Sequence, residues 1–356
     1  MILKRKMLLV TTIALITTFA LAGCQTPAST PAPAPAAKGE PISRTDYMLG
    51  TVIDITIYDK SDTTILDKAF ARIAEIESKM TINNAETSEI IALNNASGVN
   101  EVKLSPDTFL VVEKGKQYSE RSDGKFDITV GPIVKLWNIG TESAAVPDKD
   151  ELAEAVKLID YNKLILNKEN LTAKLETPNM KVDLGAIAKG YTADEVARVL
   201  KENGVEHAII NLGGNVMTVG GNPNGNPWKI GIQDPFNPRG DFLGIVPITN
   251  WTVVTSGTYE RFFEENGKKY HHILDTTTGY PTDNNLYSVS IITDKSIDGD
   301  GLSTTTLLIG LEEGIKLIES LENTEAIFVT SDKKVYVTSG LKKDFIITNP
   351  DFNLAN

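Results

Sequence analysis

The sequence predicts an α+β domain in which mostly antiparallel sheets are covered by helices. Helical and strand-like segments are interspersed along the chain, and the strand-like ones come as hairpin-like neighbours. No fixed-period repeat and no internal linker interrupts residues 43–356, which are read as one folded unit. The composition of the 356 residues, 41% hydrophobic and 23% charged, is that of a globular protein; it excludes wholesale disorder, a collagen and a polytopic membrane protein. That length buries a large core.

Residues 1–23 read as a secretory signal: Lys4, Arg5 and Lys6 precede an apolar run that ends in small residues at Leu21-Ala22-Gly23-Cys24. The L-A-G-C pattern resembles a bacterial lipobox, in which the Cys becomes the lipidated first residue. Cys24 is the single cysteine of the chain, so no internal disulfide and no Cys-rich metal site exists. Residues 24–42, rich in Pro, Ala, Ser and Thr, read as a tether holding the domain away from a bilayer. The expected location is extracytoplasmic, anchored to the cell membrane by lipid. The net charge of −12 argues against nucleic acid as a partner, because phosphate backbones need a basic face.

Each element has its own signal. GTVIDITIY, residues 50–58, alternates as a strand, and apolar residues recur at helical spacing over 62–79. Ser105-Pro106 opens a helix over 105–121, and Pro147 precedes a short one over 147–158. Asp183 to Gly204 carries the clearest helical pattern, with Ile187, Tyr191, Val196, Val199 and Leu200 on one face and Asn203-Gly204 as its stop. Strands are expected at HAIINL, GNVMTVGG, WKIGIQD, IVPITNWTVVTSG and residues 286–292. Helices follow at about 301–309 and 312–322, then the strand pair AIFVT and KVYVTS.

Five segments carry chemistry. They are SDGKFDITVGP (122–132), DLGAIAKGY (183–191), NLGGN (211–215), SGTYERFF with HHILDTTTGYP (256–281), and DGDGLST (298–304). DLGAIAKGY sets an acid, small residues and Lys189 at the start of a helix, an arrangement that suits an anion near backbone N–H groups or tight helix packing. Asp300 and Thr304, four apart on a helix, share a face. They are hard oxygen donors that suit Mg2+ or Ca2+ and not zinc, although Asp300 as a plain helix cap fits the spacing too. His271-His272 lacks the further ligands of a zinc site, which leaves acid–base, binding or structural roles.

Together the segments resemble the ApbE family of FAD:protein FMN transferases over nearly the whole mature chain. FDITVGPIVKLW is similar to that family's F-D-x-T-V-G-P-L-x-x-L-W, DLGAIAKGY to D-L-G-G-I-A-K-G-Y, HHILDTTTGYP to H-I-x-D-P-x-T-G-x-P, and DGDGLST to A-D-A-L-S-T. The resemblance implies an ApbE-type fold with T-fold-like modules. It implies a Mg2+ held by the carbonyl of Ala186 with Asp300 and Thr304, and FAD contacts from Lys125, Phe126, Asp127, Asp183, Lys189 and Leu274. Leu49 stands where the family commonly has the Met of M-G-T. Asn83 falls where some members place an aromatic ring over the flavin, and Asn there is associated with competing FAD hydrolysis. Thr276 and Gly301 replace the family's usual Pro and Ala. The implied reaction is Mg-dependent transfer of FMN from FAD to a Thr or Ser of an exported acceptor protein, releasing AMP, with His272 as the expected base. The alternatives are a metal-dependent FAD pyrophosphatase and a flavin-binding lipoprotein without catalysis.

Overall fold

Ile53, Ile55 and Ile57 are fully buried while Val52, Asp54 and Thr56 point to the other side, so strand Thr51–Ile57 has one core face. The computed structural model that shows this describes residues 40–83 and 86–356. The signal segment 1–23, Cys24 and most of the 24–42 tether lie outside the described residues. The first strand, Ile42–Met48, starts one residue ahead of the expected boundary and turns at Leu49-Gly50 into its partner.

From that edge a nine-stranded sheet runs through 42–48, 51–57, 208–212, 215–219, 252–257, 286–293, 324–330, 334–337 and 353–354. Every neighbouring pair is antiparallel except the last. Helix Thr64–Met80 lays Ile65, Leu66, Ala69, Phe70 and Ile73 on the first strands, beside Ala193, Val196, Ala197 and Leu200 of helix Ala188–Glu202. Helices Ser296–Ile309 and Leu311–Glu319 cover the central strands on the helical side. A three-stranded sheet (228–233, 242–248, 346–347) covers the opposite face, packing Ile230, Ile232 and Val246 against Ile292, Ile327 and Val329. Strand Leu286–Thr293 is therefore covered on both sides, which explains its nearly unbroken burial. Helix Glu89–Asn95 packs on a further small sheet (102–103, 164–167, 172–175), whose Leu164 and Ala173 share a core with Val111 and Val112 of helix Pro106–Arg121, and a cluster around Trp137 is pinned by its Nε1–H donating to the Gly279 carbonyl at 2.7 Å.

Three further boundaries differ from expectation, each for an identifiable reason. The helix expected from Asp183 starts at Ala188, because the Asp183 carboxylate accepts from the Gly185 N–H at 2.7 Å and bends the chain into a turn instead. The helix expected at 301–309 starts at Ser296; its first amides are capped from another helix, Asp194 accepting from Ser296 and Ile297 at 2.9 Å each. Asp300 is thus inside the helix and not its cap. The long strand 245–257 is two strands in two sheets, broken at Asn250 with φ 55°. Short helices at Glu89–Asn95 and Gly131–Trp137 and the hairpin 262–271 around Asn266-Gly267 were not foreseen.

Candidate active site

All five motif segments meet at one cleft of about 460 Å3. Its walls are the loop Lys125–Ile128, the turn before helix Ala188–Glu202, the end of strand Thr252–Gly257 with Glu260 and Arg261, the stretch His272–Leu274 with Thr276, and the Asp300/Thr304 face of helix Ser296–Ile309. NLGGN contributes Gly213, whose φ is 65° and whose missing Cβ would stand 2.0 Å from Thr51 Oγ1. Only glycine lets these two hairpins approach.

Gly190 sets the oxygen-rich end. Its missing Cβ would lie 2.2 Å from the Ser296 carbonyl oxygen and 2.7 Å from Asp300 Cβ, so the two helices touch backbone to backbone. At that contact the Gly190 N–H donates to Asp300 Oδ2 at 2.8 Å, across helices. It therefore does not close the helical bond onto Ala186, and among the described residues no backbone N–H donates to the Ala186 carbonyl. Asp300 is 3% exposed, and its Oδ1 lies 3.7 Å from Lys189 Nζ, which also donates to the Gly185 carbonyl at 3.2 Å. Thr304 Oγ1 lies 3.0 Å from Ser256 Oγ, which also meets Ser303 Oγ at 2.8 Å. A free carbonyl, a buried carboxylate and a hydroxyl thus border the same cleft, and this donor set fits a hard divalent cation. Among the described residues no group of three or more His, Cys, Asp or Glu side chains is placed to hold a metal ion, so the set rests on one carboxylate.

His272 lines the same cleft. Its Nδ1 lies 3.2 Å from the Arg261 carbonyl oxygen, and a carbonyl only accepts, so Nδ1 carries the hydrogen and Nε2 keeps a lone pair. Burial first, then the Arg261 and Lys189 charges, push its pKa down to about 3, so the ring is neutral at physiological pH. Burial pushes the Asp183 carboxyl up, opposed by the Gly185 N–H and by the charges of Arg261 and Lys189. His271 is buried and structural: its Nε2–H donates to the Thr282 carbonyl at 3.0 Å. His207 is held likewise by the Gly221 carbonyl at 2.8 Å.

The structure gathers Lys125, Phe126, Asp127, Asp183, Ala186, Lys189, His272, Leu274, Asp300 and Thr304 around the cleft. Several build its wall. Phe126 is 2% exposed and edge-on to Tyr118. Asp127, raised by burial, spends Oδ1 on the Thr129 N–H and hydroxyl and Oδ2 on the Tyr161 N–H. Lys125 Nζ lies 3.8 Å from Asp275, and Thr276 donates its hydroxyl to the Gly124 carbonyl at 2.7 Å, tying the two walls together. A Cβ at Gly301 would meet the Tyr118 ring at 2.6 Å, which accounts for glycine there. Leu49 and Asn83 are not brought to the cleft wall. Leu49 sits at φ 54° in the turn beside it, its N–H donating to Glu77 at 2.8 Å. Asn83 is exposed in the loop after helix Thr64–Met80.

Sequence reasoning singled out SGTYERFF as a segment but assigned none of its residues. Ser256 is the hydroxyl partner of Thr304, and Arg261, which also lines the cleft, donates to the Gly50 carbonyl at 3.0 Å. A lone arginine beside an otherwise apolar and acidic stretch was the available signal.

Residues 49–328 match the model of the ApbE family, and the chain belongs to that family. The FAD:protein FMN transferase of Klebsiella pneumoniae (strain 342) is 39% identical over 292 residues, covering 82% of this chain and 90% of the relative. That of Treponema pallidum (strain Nichols) is 33% identical over 316 residues, covering 84% and 87%. Among solved structures, the ApbE protein from Thermotoga maritima superposes with a TM-score of 0.77 at 28% identity, covering 86% of this chain and 99% of that one. The flavin transferase ApbE from Vibrio cholerae gives 0.76 at 27% identity, with the same coverage.

Proposed function

We propose that this protein transfers the FMN moiety of FAD to a Thr or Ser hydroxyl of an acceptor protein, releasing AMP. The observation that carries the reading is one cleft lined both by an oxygen donor set and by a neutral histidine with its lone pair at Nε2. Ala186, Asp300 and Thr304 are the residues that would hold Mg2+. When bound, the ion supplies positive charge against the pyrophosphate oxygens.

The protein's own groups do the rest. Lys189 and Arg261 border the cleft and balance phosphate charge. Arrival of an anionic pyrophosphate offsets the positive field that, with burial, holds His272 down, so its proton affinity rises when substrate is bound. His272 Nε2 then accepts the proton of the acceptor hydroxyl as that oxygen bonds to the FMN phosphorus. The bond from that phosphorus to the bridging oxygen breaks, and the bridging oxygen departs with AMP.

The signal-like segment 1–23 and the lipobox-like Leu21-Ala22-Gly23-Cys24, with the acidic net charge, support the reading of an enzyme tethered outside the cytoplasm through lipid on Cys24, with an exported acceptor and no nucleic-acid partner. The test is incubation of the purified enzyme with FAD, Mg2+ and an exported-protein fraction. Flavin fluorescence retained on a denatured protein band, with AMP in the supernatant, supports transfer. AMP and FMN without any labelled band favours the pyrophosphatase, and FAD bound but unaltered favours a carrier.

A further inference from the structure

An acceptor protein has to be held against the cleft, and the rim offers a place. Ten large hydrophobic side chains are exposed among the described residues, and of these only Tyr47 and Val52 border the cleft. They are 70% and 52% exposed, and they are direct cross-strand partners on either side of the Met48–Thr51 turn. Strand alternation turns Ile42 and Met48 toward the core with Ile53 and Ile55, which leaves Tyr47 and Val52 on the opposite face. The next cross-strand pair on that face is polar, Thr45 donating to Asp54 at 2.6 Å, so the apolar pair stands alone at the cleft end.

The pair is also wired to the chemistry. Gly50, in the turn that joins the two strands, accepts from Arg261, whose own carbonyl accepts from His272 Nδ1. Two side chains are far too little for a stable dimer, which buries roughly 800 Å2 per partner. They suit a brief contact with a short segment. Among the described residues strand Ile42–Met48 is the outer strand of its sheet, so an extended chain can lie along that border without displacing a described neighbour.

Resting on the transfer reading above, we propose that Tyr47 and Val52 are the docking patch for the acceptor. The partner is an extended acceptor segment with an apolar side chain within about three residues of its Thr or Ser, since an extended chain advances about 3.3 Å per residue. The apolar side chain covers the pair while the hydroxyl points into the cleft.

The test uses the purified mature chain with FAD, Mg2+ and a pool of synthetic peptides. Each peptide has one central Thr flanked over three positions on either side by Leu or Gln, and FMN-bearing products are read by mass spectrometry. Wild type should enrich products with Leu in that window at least fivefold. A Tyr47→Ser/Val52→Ser double variant should lose the enrichment and label at least tenfold less, while FAD affinity, read by quenching of flavin fluorescence, stays within twofold. Val99→Ser, at an exposed apolar position away from the cleft, should match wild type. Labelling without apolar preference, a double variant that labels like wild type, or FAD affinity falling in step with labelling each overturns the proposal. If wild type labels an exported host protein but no peptide, recognition of a linear segment is overturned and the transfer reading stands. If wild type binds FAD yet labels neither, the transfer reading fails and this proposal falls with it.

Discussion

Substituting Gly190 by Ala tests whether the helix contact that frees the Ala186 carbonyl and holds Asp300 is as close as the structure shows. The new methyl would stand 2.2 Å from the Ser296 carbonyl oxygen and 2.7 Å from Ile297 Cα, against 3.4 Å or more for ordinary contact. Both obstacles are backbone atoms, so no side-chain rotation relieves them, and the helices must part by on the order of 1 Å. Overpacking of that kind costs about 1–3 kcal/mol. The Gly190 N–H bond to Asp300 stretches or breaks, and a hydrogen bond to a charged group contributes about 1.5–3 kcal/mol. Alanine returns about 1 kcal/mol through its better helix propensity. The clash and the lost bond win, with a net destabilisation of about 1.5–5 kcal/mol. At roughly 2 °C or more per kcal/mol, the melting temperature followed by circular dichroism should fall by at least about 3 °C. A shift of about 1 Å at Asp300 should also lower FMN transfer by more than about tenfold well below the melting temperature. A melting temperature equal to or above wild type, with transfer unchanged, would refute the close helix contact and the role given to it.

Three further outcomes are expected. Saturating Mg2+ should raise the melting temperature of wild type by mass action, and Asp300→Ala should lose that increment while remaining folded by circular dichroism; an equal Mg2+ shift in both proteins removes Asp300 from the ligand set. His272 is held near 3 when folded and titrates near its usual 6.5 when unfolded, so its contribution to stability is complete above pH 6.5 and is lost as pH falls from there toward 3. Urea denaturation between pH 7 and 4.5 should therefore show a pH slope in wild type steeper, by up to about 1.4 kcal/mol per pH unit, than in His272→Asn; parallel slopes contradict the half-buried neutral ring. Cys24→Ser should release the protein from the membrane fraction after signal removal, and retention there rejects lipidation as the anchor.

Much of the fold was written in local periodicity. The strand Thr51–Ile57 and the helix Thr64–Met80 follow their apolar spacing, because each buries a single face, and helix Pro106–Arg121 starts at the Ser105-Pro106 signal. Where the cause of an element is not local, the sequence is silent. Ser296 starts its helix because Asp194, 102 residues earlier in the chain, caps it, and no neighbouring residue announces that. The Asp183 turn replaces helix because a side chain competes with the backbone, a contest periodicity does not register. The candidate site was legible as motifs, and the structure brings ten of the twelve expected cleft residues to one wall or another. It was not legible as geometry. Only the folded chain shows that Asp127 and Phe126 spend their side chains on the wall, that Asn83 stands exposed outside it, and that Arg261 spans from the turn at Gly50 to His272.

The central claim is that the Asp300–Thr304 cleft moves FMN from FAD onto a protein hydroxyl. It is tested most directly by mass spectrometry of exported proteins from cells expressing either the wild-type enzyme or Asp300→Ala. The account predicts a Thr or Ser peptide carrying the mass of FMN less one water in the wild-type sample, and its absence with the variant. Its presence in equal amount with both proteins, or in neither while FAD is still converted to AMP and FMN, would contradict the account.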